Sequence, residues 1–220
     1  MKLYSYFRSS AAYRVRIALN LKGLPYDIVP VHLLKHGGEQ LSPMYRTLNA
    51  NGLVPALIEE DTTHGQSVLT QSLAIIEYLE ESHPQVPLLP STPLDRAFVR
   101  SIGLSIACDI HPINNLRVLR YLVHDLKVDE DAKNAWYRHW CDIGLTALEA
   151  TLAKDPRVGK FCYGDAPSLA DCCLVPQIFN AQRLKCDLSG MPTLMRIYAA
   201  CQELDAFVRA APENQVDAEA

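Results

Sequence analysis

Two adjacent hydroxyls, Ser9 and Ser10, are the residues of this chain best placed to do chemistry. They follow a short run in which Leu3, Ser5 and Phe7 alternate with Lys2, Tyr4 and Tyr6, the pattern of a strand. They precede a stretch in which Val15, Ala18, Leu19 and Lys22 recur at helical spacing, with Ile17 and Leu21 widening the apolar stripe and Gly23 placed to end it. A hydroxyl pair is thus expected where a strand hands over to a helix N-terminus. The unpaired N–H groups and partial positive charge there favour an anion, including a thiolate whose pKa the site lowers. By themselves the two serines are most simply helix caps. The elements around them decide how much more they do.

Beyond Gly23, Tyr26–Val31 reads as a second strand, with Pro30 suited to an edge. Residues 32–48 are polar and broken by Gly37, Gly38 and Pro43, with a short helix expected near Met44–Leu48. Asn49–Gly52 is a turn. The run Leu53–Ile58 carries Pro55, which cannot donate to a ladder and belongs at an edge, a bulge or a cis turn. Asp61–Gly65 reads as a hairpin turn and Ser67–Leu69 as the returning strand. Gln71 and Ser72, the latter the expected N-cap, open a strongly helical segment over Leu73–Leu79 that ends near Ser82–Pro84. A parallel crossover followed by a hairpin and a helix gives an α/β domain over 1–83. Two helix N-termini, at Ser9-Ser10 and at Gln71-Ser72, are available to face one side of its sheet.

Prolines 84, 87, 90 and 93 mark a linker over 84–93. From 94 to 220 the pattern is helical, with signals over Arg96–Asp109, Asn115–Leu126, Asp131–Leu152 and Met191–Ala211. Ser168 with Asp171 three residues on has the form of a capping box. The polar tail from Pro212 is expected to fray.

Composition bounds the function. The 220 residues are 49% hydrophobic and 21% charged with a net charge of −4, ordinary for a globular protein and unlike the basic face of a nucleic-acid binder. Neither a signal peptide nor a membrane span is read, so the expected location is the cytoplasm, with no membrane partner. The seven cysteines (108, 141, 162, 172, 173, 186 and 201) form no C-x-x-C, which disfavours a metal site or disulfide framework and reads mostly as small buried side chains. Arg14 and Arg16 are read as a solvated helix face or a structural ion pair, and Asp171 as a cap rather than a catalyst. His32, His36, His64, His83, His124 and His139 are read as surface residues.

Six segments carry a family: Tyr4–Ser10, Tyr13–Leu19, Leu53–Leu57, Gln71–Glu81, Cys108–Asn115 and Leu169–Gln177. In order, and over nearly the whole chain, they resemble the zeta-class glutathione transferases, the family of maleylacetoacetate and maleylpyruvate isomerases. The resemblance implies a thioredoxin-like N-terminal domain that binds glutathione, an all-α C-terminal domain that completes the substrate site, and a homodimer. It gives Ser9 the glutathione sulfur, with Ser10 in support, and Arg8 the acidic substrate beside it. It gives Val54, before a cis Pro55, the cysteinyl amide, and gives Gln71 and Ser72 the γ-glutamyl carboxylate. It assigns Gln40 to the glycine end, His111 and Asn115 to glutathione from the helical domain, and Arg117 and Arg183 to the substrate. The reaction implied is cis–trans isomerisation of a maleyl keto-diacid by reversible thiolate addition, in aromatic-compound catabolism. Many zeta enzymes read Ser-Ser-Cys where this chain has Ser9-Ser10-Ala11, so glutathione must supply the only sulfur. His111 stands where some members carry Gln, which favours the maleylpyruvate side. The same thiolate and arginines would also serve a transferase acting on α-halo acids, and a third reading is a non-catalytic glutathione-binding module.

Overall fold

In a computed structural model, which describes residues 1–61 and 65–219, the first strand is β1 (Lys2–Ser5). It lies between two neighbours in a mixed four-stranded sheet of order β2-β1-β3-β4. β1 runs parallel to β2 (Asp27–Pro30), with Leu3 opposite Ile28, and antiparallel to β3 (Ala56–Asp61), with Leu3 opposite Leu57. β3 pairs antiparallel with β4 (Gly65–Thr70). The expected hairpin is therefore present as a strand pair, while its turn residues 62–64, including His64, lie outside the described residues. Pro30 sits on the outer strand β2, where its missing N–H breaks no ladder.

The parallel crossover is α1 (Ser10–Leu21). It ends in a Schellman motif: Gly23 N–H reaches Asn20 O at 3.1 Å and Leu24 N–H reaches Leu19 O at 3.0 Å, with Gly23 at φ +66. α1 packs on α3 (Ser72–Ser82) and on α9 (Asp205–Ala210). The short α2 (Pro43–Leu48) follows two 3₁₀ turns over 35–41. A buried ion pair, Lys22 Nζ to Glu80 Oε2 at 2.8 Å, ties the end of α1 to α3, and the same ammonium donates to His83 O and Val86 O.

The second unit is helical. α4 (Pro93–Leu104) passes into a π-helical stretch, Ser105–Ile110, and is followed by α5 (Leu116–His124), α6 (Glu130–Leu152), α7 (Leu169–Arg183) and α8 (Pro192–Gln202). Helix α7 is buried over Leu169–Ile178 and packs on α4, α8 and the π-helical stretch, as an element apolar on every side must. Its capping box is as read: Asp171, wholly buried, accepts from Ser168 N–H at 2.8 Å, from the Ser168 hydroxyl at 2.7 Å and from Cys162 N–H at 2.9 Å. Among the described residues no helix is long and apolar enough to cross a membrane.

The chain divides into two compact units, Met1–Leu88 with Glu203–Ala220, and Leu89–Gln202. The division falls inside the proline-bearing stretch read as a linker. The helical signal over Met191–Ala211 is broken, and everything from Glu203 on joins the first unit because α9 packs on α1. The segment after α9 does not fray: Gln215 is buried and donates to Arg209 O and Ala211 O.

Candidate functional site

The turn between β1 and α1 is built before any ligand is considered. Ser9 N–H closes it onto Tyr6 O at 2.9 Å. Ser9 is the N-cap of α1, and its Oγ accepts from Ala12 N–H at 3.2 Å. A hydroxyl that accepts through one lone pair keeps its proton to donate, and the first N–H groups of the helix have no intrahelical acceptor. Ser10 is the first helical residue and is buried. Ser9 thus does cap the helix as the bland reading required, Ser10 being its first residue, and the cap leaves Ser9 a donor toward an anion. Arg8 is half-buried, its guanidinium 4.8 Å from the Phe7 ring centre and its Nη2 donating to Tyr6 Oη at 2.9 Å.

Arg14 and Arg16, read as a solvated helix face or a structural ion pair, are interior, which corrects the first of those readings. Arg16 is 0% exposed and Arg14 2%. Arg16 donates to Phe7 O at 3.0 Å, Ala210 O at 2.9 Å, Ser5 Oγ at 3.0 Å and Tyr6 O at 3.4 Å. Burial pushes its pKa down to about 10, still charged at neutral pH. Arg14 donates to Ser72 Oγ at 3.3 Å and so joins α1 to the start of α3. The signal was in the sequence: Arg14 and Arg16 alternate with Tyr13, Val15 and Ile17, which leaves this helix no polar face.

At α3 the N-cap is Gln71, not Ser72; Ser72 is the first helical residue. Gln71 is held at φ +69, a left-handed conformation that disfavours a side chain and recurs at binding sites. The Val54-Pro55 bond is cis, as the resemblance implied. Both residues are buried, and Val54 packs in one cluster with Tyr6, Phe7, Val31 and Tyr45. The approach to Val54 is pinned at Leu53 O, which accepts from Tyr45 Oη at 2.7 Å and Asn49 Nδ2 at 2.8 Å. Burial pushes the Tyr45 phenol up, so it keeps the proton it donates. Gln40 is buried beside Gly52, and its Oε1 has no hydrogen-bond partner among the described residues. A buried amide oxygen without a donor is costly unless something outside the chain supplies one. In the first unit, then, the β1–α1 turn and Val54 share one apolar cluster, the start of α3 is tied to α1, and Gln40 lies on the loop before Val54.

The other candidates belong to the second unit. His111 closes the π-helical stretch, its N–H on Ile106 O at 2.9 Å. Asn115 is the N-cap of α5, with Oδ1 accepting from Arg117 N–H at 3.1 Å, so its carboxamide oxygen already has a structural duty. Arg117 is exposed on α5, and Arg183 is exposed in the last turn of α7 with Nε on Asn180 Oδ1 at 3.2 Å. The turn bearing His111 and Asn115 is fixed from α6, by Trp136 Nε1 on Ile113 O at 3.1 Å and by Tyr137 O accepting from Asn114 Nδ2 at 3.2 Å. Of the histidines read as surface residues, His36, His124 and His139 are exposed; His32 and His83 are half-buried, and His32 is tied to Glu219. The cysteines read as buried apolar residues are so at 141, 162, 172, 173 and 201, while Cys108 is exposed and Cys186 half-buried.

Residues 8–82 match the family model for the glutathione S-transferase N-terminal domain. The chain is 51% identical to the probable maleylacetoacetate isomerase of Vibrio cholerae serotype O1, over 98% of this chain and 97% of that protein. It is 49% identical to the holo structure of a maleylpyruvate isomerase described as a bacterial zeta-class glutathione S-transferase, with all of both chains covered and a TM-score of 0.93. The maleylacetoacetate isomerase of Methylobacterium extorquens AM1, solved with malonate and glutathione bound, is 40% identical with full coverage of both chains and a TM-score of 0.94. By sequence, by fold and by the cis Val54-Pro55 and capped α1 of its first unit, this chain belongs to the zeta-class glutathione transferases, the maleylacetoacetate and maleylpyruvate isomerase family.

Proposed function

We propose that this protein is a glutathione-dependent cis–trans isomerase of a maleyl keto-diacid, maleylpyruvate or maleylacetoacetate, working in aromatic-compound catabolism in the cytoplasm as a homodimer. The observation that carries the reading is the first unit's pair of helix N-termini, Ser9-Ser10 on α1 and Gln71-Ser72 on α3, linked through Arg14. A tripeptide with a thiol at its centre and carboxylates at its ends asks for such a set of donors. The orphaned Gln40 Oε1 and the left-handed Gln71 fit the same ligand, since each is a local cost that a bound peptide offsets.

Bound glutathione supplies a thiolate, whose reversible addition makes the conjugated double bond single and lets it rotate. The protein's part is to hold and stabilise. Ser9 donates its hydroxyl proton to the sulfur, with Ser10 and the α1 N-terminus adding positive potential. The backbone of Val54, ahead of Pro55, meets the central amide. Gln71 and Ser72 take the γ-glutamyl carboxylate at the α3 N-terminus, and Gln40 takes the glycine end. His111 and Asn115 serve glutathione from the helical domain. Arg8, Arg117 and Arg183 grip the carboxylates of the substrate, a task suited to the guanidinium fork. Ala11 follows Ser10 where a cysteine would stand, so no protein thiol is available at that position.

The test is isomerisation of both maleyl substrates with and without glutathione. Turnover that needs glutathione and falls about 10²-fold or more in Ser9→Ala supports the reading, and the ratio of the two rates names the substrate. Glutathione binding without turnover of either diacid would move the function to α-halo acids or to a binding module.

A further inference from the structure

A β-turn satisfies only one of its own N–H groups internally, so the N–H of its second residue needs an acceptor from elsewhere. In the turn Tyr6–Ser9 that residue is Phe7, which is buried. Its N–H donates at 3.0 Å to Oδ2 of Asp217, from the segment after α9. Its carbonyl is taken by Arg16 at 3.0 Å. The peptide units on both sides of Phe7 are therefore held by a buried cation and a carboxylate of opposite charge, one residue before Arg8 and two before Ser9. The same segment is fastened a second time. Glu219 meets Lys35 at 2.6 Å and His32 Nε2 at 3.1 Å. His32 Nδ1 accepts from Leu34 and Lys35 N–H, which leaves Nε2 to carry the proton donated to Glu219. The His32 ring in turn stands edge-on to Tyr6, 5.0 Å between centres.

We propose that Asp217 is a positioning residue for the thiolate site, fixing through Phe7 N–H the turn that aims the Ser9 hydroxyl, with Glu219 as the outer fastening that keeps the segment in place. This rests on the reading of Ser9 given above. Asp217 touches neither substrate nor glutathione in this account; it acts through the backbone of the turn.

Two readouts test it, one of them needing no ligand. The first is hydrogen–deuterium exchange over residues 6–10 in the ligand-free protein. The second is the apparent pKa of the glutathione thiol in the complex, from thiolate absorbance against pH. Asp217→Ala removes the acceptor, whereas Asp217→Asn keeps an oxygen in reach. In Asp217→Ala the Phe7 amide is expected to exchange about ten- to a hundredfold faster, and the thiol pKa to rise by about 0.5. kcat should fall about threefold or more with the substrate KM little changed, and Asp217→Asn should stay within about twofold of wild type in exchange and rate. Faster exchange with an unmoved thiol pKa reduces Asp217 to a fastener of the chain and overturns the positioning role; unchanged exchange overturns the contact itself. If Asp217→Ala does not fold, the exposed Glu219→Ala decides: a smaller change in the same direction in both readouts supports the clasp, and no change in either overturns it. Ser9→Ala is the control for the underlying reading. A thiol pKa that Asp217→Ala moves and Ser9→Ala does not would reject the role of Ser9 rather than the clasp.

Discussion

Among the described residues, one charged residue of each compact unit is 0% exposed, Arg16 in the first and Asp171 in the second, and the two are opposites in both sign and duty. Arg16 answers backbone carbonyls: it donates to Tyr6, Phe7 and Ala210 O and to the Ser5 hydroxyl. Asp171 answers N–H groups: it accepts from Cys162 and Ser168 N–H and from the Ser168 hydroxyl. The backbone dictates the sign. A strand that leaves the sheet for a tight turn strands carbonyls, and a cation collects them. A helix start strands N–H groups, and an anion collects those. What differs is what each charge holds. Arg16 grips the turn that carries Arg8 and Ser9, whereas Asp171 grips the start of α7 and the loop backbone at Cys162. Burying a charge costs the same kind of desolvation in both places, but in the first unit the return is a fixed site.

That contrast breaks most visibly at Arg16. Arg16→Met leaves the buried Phe7 and Ala210 carbonyls without their donors and should cost about 3–5 kcal/mol of stability by chemical denaturation. Whatever folds should show reduced glutathione affinity. Arg16→Lys should recover only part of the stability, because an ammonium lacks the planar fork that spans the carbonyls. Asp171→Ala should cost about 2–4 kcal/mol for the matching reason. Here activity per folded molecule should stay at the wild-type level, and a loss of activity without unfolding would collapse the distinction between the two charges.

Gly144 sharpens the comparison inside the second unit. A Cβ there would sit 2.3 Å from Ile110 Cγ1, the residue before His111. Gly144→Ala should destabilise by about 1–3 kcal/mol through overpacking, and exchange or NMR shifts should report a disturbance around residues 110–115. The smallest effect belongs to a half-buried carboxylate. Asp155 is held at about 2 by its side-chain hydrogen bonds from Arg157. A depressed carboxyl contributes stability that is present above its unfolded pKa and lost as pH falls toward 2. Asp155→Asn should lower the melting temperature slightly near neutrality, leave it unchanged near pH 2, and so flatten its fall between pH 4 and 2.

How far the sequence reaches can be argued from the same residues. The handover at Ser9, the helix end at Gly23 and the capping box at Ser168 were legible, because each needs a residue type that few other conformations want; Pro55 left an edge, a bulge and a cis turn open, and the resemblance chose the last. The elements of the sheet were legible for the same reason, through their alternation. Arg14 and Arg16 were misread because a charged residue signals exposure until its partners are known, and the partners here are the Ser72 hydroxyl for Arg14 and, for Arg16, the Ser5 hydroxyl and backbone carbonyls that no residue type advertises. Ser72 was misread as the N-cap because Gln71 takes a left-handed conformation that glutamine does not announce. The tail from Pro212 was misread because polar composition says nothing of a single carboxylate meeting an N–H some two hundred residues away in sequence. The helical signal over Met191–Ala211 concealed the break between α8 and α9, which the packing of α9 on α1 decides.

The central claim is that glutathione is a coenzyme here and not a co-substrate. The most direct measurement mixes enzyme, a large excess of the maleyl keto-diacid and glutathione at about one-hundredth of the substrate. The account predicts complete conversion to the fumaryl isomer with all glutathione recovered as free thiol. Conversion that stops at one equivalent of glutathione, with the thiol consumed in an adduct, would contradict it.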